Sequence, residues 1–521
     1  LAAMKIALAF VLAGLSLSLE AQHTPQLNPQ TLPKLGTVGP RFQSYNVEMV
    51  EVIGGRFWKP YASKGTVAPP TGAGTPGGID PNLFEQRTPI NLEDTRLRKL
   101  ATSLGPAYMR VSGTWANTLY FQDTDATVAA APPEGFNGVL TRAEWKRVVD
   151  FAKSVDAELV TSFATSVGTR DKDGVWTPVE AKKFLDYTHS IGGEIAAAEF
   201  MNEPTFASAA GVPKGYDAAA YGKDFAVFQP FFRDAAPKTV LLGPGSVGEG
   251  IDFVPVKLLP SKELLSAMGS NPVDAFSYHF YGTISERCAG PMGGGKVGTT
   301  PEAALTADWL SRTGTVEQFY AKLRDEYAPG KAMWLTETGQ AACGGDRWAS
   351  TFLDSFRYVD QMGQLAKLHV QTIMHNTLAA SDYGLIDEKT LLPRPDYWAA
   401  LLWHRTMGTT VLSAGPGSTN TIHLYAHCMK DTPGGVTLLA SNLSRDEAGT
   451  LNLPVGGVRY MLTAKDLMGH TVDLNGKELM VASNGDIPEF KGLPVAKGKL
   501  ALPPASITFV EFPSAENVAC K

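Results

Sequence analysis

The sequence predicts an α/β fold, a (β/α)8 TIM barrel followed by an antiparallel β-sandwich domain, and three observations carry that expectation. Short apolar runs alternate with amphipathic helical patterns across residues 42–408. Eight such runs fall in that span, and several are mostly apolar, as strands buried on both faces of a parallel sheet are. From about residue 409 the pattern changes to short strands between Gly, Asn, Asp and Pro turns, which reads as an antiparallel sandwich over 409–521. Eight strand–helix units in one continuous span favour a closed barrel over an open sheet.

At the N-terminus, Met4 and Lys5 precede an apolar run over 6–15 and a small residue, Ala21. This pattern predicts a secretory signal peptide over 4–21, and hence a soluble mature protein that is secreted or periplasmic. The run is shorter than the roughly 20 residues of a membrane span, and no later segment is apolar enough to cross. Residues 22–41 are rich in Pro and Gln and offer one strand that could join the sandwich. The first barrel strand is expected at 42–48, and the Gly-, Pro-, Thr- and Ala-rich stretch 60–81 is a long loop.

The alternation then runs helix 92–104 and strand 107–111, and a helix to about 154 capped by Thr141 with Glu144 three residues in, a capping box. Strand 158–163 follows, then a helix opened by Pro178 and strand 195–201. Next come helix 216–235, strand 239–242, helix 256–268, strand 275–278, helix 303–326 and strand 332–336. Helix 348–366, strand 369–374 and helix 397–407 complete the barrel, and strands at 436–440, 459–463 and 506–510 belong to the sandwich.

Charge and cysteine use exclude several functions. A net charge of −6 argues against a nucleic-acid partner. Cys288, Cys343, Cys428 and Cys520 are widely spaced, and in an exported protein they predict disulfides, for which three pairings exist. No close pair resembles a zinc ligand set, so neither a metal nor a cofactor is expected.

The chemistry sits in two stretches, Ala198-Glu199-Phe200-Met201-Asn202-Glu203-Pro204 and Ala332-Met333-Trp334-Leu335-Thr336-Glu337-Thr338-Gly339. Each puts a glutamate where an apolar strand meets a loop, Glu203 at the fourth strand and Glu337 at the seventh. Side chains at C-terminal strand ends face the mouth of a barrel. Either glutamate alone reads as a solvated carboxylate. Two at the mouth are what retaining glycoside hydrolysis needs, one as acid/base and one as nucleophile.

The chain resembles glycoside hydrolase family 79, the heparanase and β-glucuronidase family. The resemblance rests on the Arg98-Lys99-Leu100-Ala101 and 104–114 stretches, Glu199 with Asn202-Glu203-Pro204, and Tyr278-His279-Phe280-Tyr281. It continues through Glu337-Thr338 with Gly344-Gly345, Asp396 to Leu402, and Gly408 to Leu412. It implies that Glu203 is the acid/base, that Glu337 is the nucleophile, and that Asn202 bonds the 2-hydroxyl of the sugar. Tyr281 is implied to lie against Glu337, with an aromatic wall as the other reading. Glu48 corresponds to an acidic sugar-binding residue or has a structural role, Thr114 follows the second strand near the substrate, and His279 is expected at the rim.

The resemblance further implies that a uronic-acid carboxylate is bound by backbone N–H groups at Cys343 and Gly344 and by Tyr383. Ala342 departs from the tyrosine common in the family, which keeps a neutral sugar in play. Arg170, Lys172, Arg287 and Arg347 are expected as solvated loop charges or cleft residues. The implied disulfides are Cys288–Cys343 and Cys428–Cys520. The implied function is a β-glucuronidase removing β-linked glucuronic acid from glycans or glycosides. The alternatives are endo-action on glycosaminoglycan and a catalytically inactive glycan-binding protein.

Overall fold

The computed structural model describes residues 27–62, 80–128, 131–251, 257–270, 272–289, 299–415 and 418–521. The expected signal peptide and most of the expected loop over 60–81 lie outside the described residues.

Eight parallel strands close into a barrel: β1 (Gln43–Glu48), β2 (Ala107–Ser112), β3 (Ala157–Ser162), β4 (Ile195–Glu199), β5 (Val240–Ser246), β6 (Ala275–Tyr281), β7 (Ala332–Gly339) and β8 (Val370–His375). A helix follows each strand: α1 (Thr95–Ser103), α2 (Arg142–Ser154), α3 (Val179–Ser190), α4 (Ala218–Ala235), α5 (Ser261–Met268), α6 (Ala307–Tyr327), α7 (Phe352–Lys367) and α8 (Pro395–Thr406). Local chemistry sets their starts. Thr141 caps α2 through a capping box in which Glu144 returns a 2.8 Å bond to the Thr141 N–H. Asp94 caps α1 by accepting from the N–H groups of Arg96 and Leu97.

The period of two along each strand sorts the wall into an outer apolar face and an inner one that changes character with height. Met109 and Val111 pack outward into the main core. Inside, Val160, Ala197, Leu242, Ala275, Trp334 and Met374 come from six strands and fill the lower barrel with one apolar cluster. Two residues further along those strands stand Ser162, Glu199, Ser277, Thr336 and Asn376, all buried. Arg110 has the same place on β2, two residues after Tyr108. The barrel is thus plugged below and polar above.

The second domain is built on a nine-stranded sheet. Its strand β9 (Met407–Leu412) follows α8 directly and pairs with Lys34–Thr37 on one side. On the other side come β10 (Ile422–Met429), β11 (Val436–Asn442), β13 (Ser506–Phe512) and β12 (Gly457–Thr463). All seven residues of β11 are buried because both faces are covered. Leu438 and Ala440 join Leu451, Leu453, Leu500 and Leu502 of the ribbon formed by Gly449–Leu453 and Gly498–Leu502. Leu439 instead packs into the barrel's outer core. At this junction Asp360 of α7 accepts from Tyr425 and contacts His423 Nδ1, both at 2.6 Å.

Cys288 is bonded to Cys343 and Cys428 to Cys520. Among the described residues no helix is long and apolar enough to cross a membrane.

Candidate active site

The site stands on the polar layer inside the barrel, and its hub is Arg110, 1 % exposed. Its guanidinium donates through NH1 to Glu337 Oε2 at 2.9 Å and through Nε and NH2 to Glu199 Oε2 at 3.2 and 2.9 Å. NH2 also donates to Asn202 Oδ1 at 2.7 Å and faces His279 Nε2 at 3.2 Å. One cation therefore touches four of the polar groups at the mouth. A buried arginine is tolerable because two carboxylates compensate it; burial opposes its charge, yet Glu199 and Glu337 hold its proton more tightly than usual.

Glu337 reaches the interior through an irregularity. Between β6 and β7 the register runs Tyr278 opposite Leu335, then His279 opposite Glu337, so Thr336 is an extra residue. A bulge re-aims the side chains beyond it, and here it turns both Thr336 and Glu337 inward. Thr336 donates to Glu199 Oε1 at 2.8 Å, and Tyr281 donates to Glu337 Oε1 at 2.7 Å. Both Glu337 oxygens are thereby held, in accord with the place expected for Tyr281.

Strand β4 ends at Glu199, so Glu203 stands four residues past the strand and not at its end. The chain turns there with Glu203 in the left-handed region, at φ 48° and ψ 61°, an uncommon conformation for a non-glycine residue. Asn117, in a short helix after β2, clamps the preceding residue: it accepts from the Asn202 N–H and donates to the Asn202 carbonyl, both at 2.9 Å. Burial pushes the Glu203 carboxyl up to about 7, with Arg110 opposing and Glu199 reinforcing the shift. At Glu199 burial also works upward, but the Arg110 charge outweighs it and the carboxyl lies below its usual range.

His279 is fully buried, which corrects the expectation of a rim residue. It alternates with Ser277 and Tyr281 along β6 and so points into the barrel, where Nδ1 lies 3.0 Å from Glu203 Oε1 and 3.7 Å from Glu337 Oε2. Burial pushes its pKa down to about 4 against the pull of Glu337. One atom each of Glu203, His279 and Glu337 lie within 4.8 Å of one another, near enough to share a metal ion. The cysteine pattern gave no hint of that grouping. Of the three, Arg110 bonds Glu337 and faces His279, and it shares its single charge with Glu199.

Glu48 is buried at the end of β1, where Asn376 donates to its Oε1 at 3.0 Å. Burial and the Glu337 charge raise its carboxyl well above the usual range. Its Oε2 lies against Gly113, where a Cβ would come within 1.7 Å, so that position, at φ 95°, accepts only glycine. Asn376 also donates to the hydroxyls of Tyr281 and Tyr383, at 3.0 and 3.2 Å, tying the expected substrate residues into one network. Thr114 begins the short helix Thr114–Thr118 beyond Gly113.

At the rim, Cys343, Gly344 and Gly345 are all left-handed, with φ of 64, 84 and 83°. The Cys288–Cys343 disulfide ties this turn to the loop after β6. Among the described residues, the backbone N–H groups of Cys343 and Gly344 bond to no main-chain carbonyl outside helices and strands. Arg287 braces the turn from behind: it pairs with Asp382, donates to Gly345 O at 3.1 Å and stacks on Tyr61 at 4.1 Å. Arg287 is therefore a buried brace, and Arg170, paired with Asp224 at 2.8 Å and 4 % exposed, is another; neither is a solvated loop charge. Lys172 and Arg347 are exposed.

A barrel whose mouth presents two facing glutamates, one held protonated toward neutrality and one paired with arginine, is the architecture of a glycosidase. Residues 88–363, more than half of the chain, match the model described as glycosyl hydrolase family 79, N-terminal domain, and the chain belongs to that family. It is 27% identical over 493 residues to heparanase-like protein 1 of Arabidopsis thaliana, covering 83% of this chain and 87% of that one. It is 32% identical over 234 residues to baicalin-β-D-glucuronidase of Scutellaria baicalensis, covering 43% and 44% of the two chains. Among solved structures, a 4-O-α-L-rhamnosyl-β-D-glucuronidase from Fusarium oxysporum shares the fold, with a TM-score of 0.61 at 13% identity over 92% of this chain and 99% of that one.

Proposed function

We propose that the protein is an exported retaining β-glucuronidase that removes β-linked glucuronic acid by double displacement. The observation that carries this reading is the approach of Glu203 and Glu337 oxygens to within 4.8 Å, across His279. Retaining glycosidases hold their carboxyl groups about 5 Å apart, whereas inverting ones need roughly 6.5–9.5 Å to admit water.

In the first half-reaction a Glu337 oxygen forms an ester with the anomeric carbon while Glu203 gives its proton to the departing glycosidic oxygen, which keeps the bonding electron pair. In the second, Glu203 takes a proton from water, the hydroxide oxygen bonds to the anomeric carbon, and Glu337 leaves as carboxylate. Burial suits Glu203 to both halves by placing its proton affinity at about 7. Since Asn202 Oδ1 accepts from Arg110, its amide N–H groups face away from the guanidinium, toward the sugar 2-hydroxyl. The Cys343–Gly344 N–H groups and the Tyr383 hydroxyl are the donors for the sugar carboxylate. The name of the Scutellaria relative supports glucuronic acid, and two disulfides support an oxidising compartment.

A panel of aryl β-glycosides tests this reading. Turnover is expected for the glucuronide, with little for the glucoside or xyloside. Glu337→Ala should abolish it, and azide should restore part of the activity of Glu203→Ala. Preference for a neutral glycoside would overturn the sugar assignment. The heparanase-like relative supports a second reading, endo-action on a uronic-acid polymer; oligosaccharide products in place of the free monosaccharide would establish it.

A further inference from the structure

His279 stands between the Glu203 and Glu337 carboxylates and is in contact with Arg110, the cation bonded to Glu337. Its protonation pattern follows from its neighbours. A guanidinium carries only donors, so the ring nitrogen facing Arg110, Nε2 at 3.2 Å, must present its lone pair. A second proton on this wholly buried ring is disfavoured by burial and by the Arg110 charge, which together outweigh the pull of Glu337 and Glu199. The single ring proton therefore resides on Nδ1, which lies 3.0 Å from Glu203 Oε1. That contact is the one side-chain hydrogen bond Glu203 makes among the described residues.

We propose that His279 is a positioning residue for proton transfer: its Nδ1–H commits Glu203 Oε1 as an acceptor, so Glu203 Oε2 is the oxygen that gives the proton to the leaving group. A carboxylic acid can carry its proton on either oxygen. With an N–H against Oε1, a proton there would set donor against donor, and the acid is held in the form with Oε2–H. As the glycosidic C–O bond breaks, that proton passes to the leaving oxygen and negative charge develops on the Glu203 carboxylate. Nδ1–H is already aimed at the charge, the preorganised arrangement that favours a transition state. In the second half-reaction Oε2 receives the proton of water, and the ring keeps its own proton throughout. His279 is thus neither base nor acid.

The inference rests on Glu203 being the acid/base, and leaving-group dependence separates the two claims. A dinitrophenyl aglycone departs without a proton, whereas a phenyl aglycone needs one. For the sugar the enzyme turns over fastest, His279→Leu should lower kcat/KM, which reports only the steps up to the glycosyl-enzyme, roughly 10- to 100-fold on the phenyl glycoside, part of the usual general-acid contribution, and by no more than about threefold on the dinitrophenyl glycoside. His279→Asn places an amide N–H near the position of Nδ1–H and should recover most of the phenyl rate. Equal losses on both aglycones, or no recovery in His279→Asn, would overturn the proposal. If His279→Leu does not fold, His279→Met, longer and likewise without an N–H donor, provides the same comparison. Glu203→Gln assayed alongside checks the underlying reading: if its own loss ignores the leaving group, Glu203 is not the acid, whatever His279 does.

Discussion

Arg110 NH1 lies 2.9 Å from Glu337 Oε2, both side chains buried, and the same guanidinium binds Glu199 on its other edge. The Glu337 charge is therefore matched by a cation that is itself shared with a second carboxylate. Removing one partner of such a group leaves the others buried and unpaired. Arg110→Met is expected to lower stability by about 3–5 kcal/mol and to abolish turnover. Arg110→Lys, a single ammonium that cannot reach Glu199, Glu337 and Asn202 together, should fold better and still lose most of kcat. Denaturant unfolding together with steady-state kinetics checks both.

The Glu203 carboxyl is raised to about 7, and the proposed acid step needs its proton, so kcat/KM should fall as pH rises through about 7. The same shift has a stability consequence. The folded protein binds this proton more tightly than the unfolded chain, whose glutamates titrate near 4.3. That contribution is complete below about pH 4 and disappears as pH rises through 7. Glu203→Gln, neutral at every pH, should unfold at higher denaturant than wild type at pH 8 and at about the same denaturant at pH 4. Unfolding curves at the two pH values decide it.

The two disulfides should separate by function. Cys288–Cys343 holds the turn of three left-handed residues assigned to the sugar carboxylate, so Cys288→Ser is expected to raise KM for the glucuronide more than KM for a neutral glycoside. Cys428–Cys520 closes the second domain across 92 residues, so Cys428→Ser should cost about 2–4 kcal/mol and leave KM unchanged.

At the domain junction, burial opposes protonation of His423, but the Asp360 carboxylate outweighs it and the pKa is raised. A raised histidine contributes stability below its unfolded value near 6.5 and loses it as pH rises through the folded value. His423→Gln should therefore flatten the fall in melting temperature on the alkaline side of pH 6.5 and leave activity intact.

The barrel was legible because its strands are apolar runs of strand length, and the two glutamates because each breaks such a run at its end. Arg110 and Glu199 carry a further signal in strand phase: Arg110 inside β2 and Glu199 at the end of β4 are each a charge two places after an inward-facing residue. His279 was misplaced because position along a strand indicates height, whereas only the alternation with Ser277 and Tyr281 indicates direction. The inward turn of Glu337 depends on one extra residue opposite β6, which no periodicity within β7 displays. Arg170 and Arg287 read as loop charges since their partners, Asp224 and Asp382, are 54 and 95 residues away in the chain.

The central claim is that Glu203 and Glu337 work as a retaining pair, one as acid/base and the other as nucleophile. Proton NMR of the first sugar released from an aryl β-glucuronide tests it most directly. The account predicts that the β-anomer of glucuronic acid forms first and the α-anomer grows in only by mutarotation; an α-anomer at the earliest time points would contradict it.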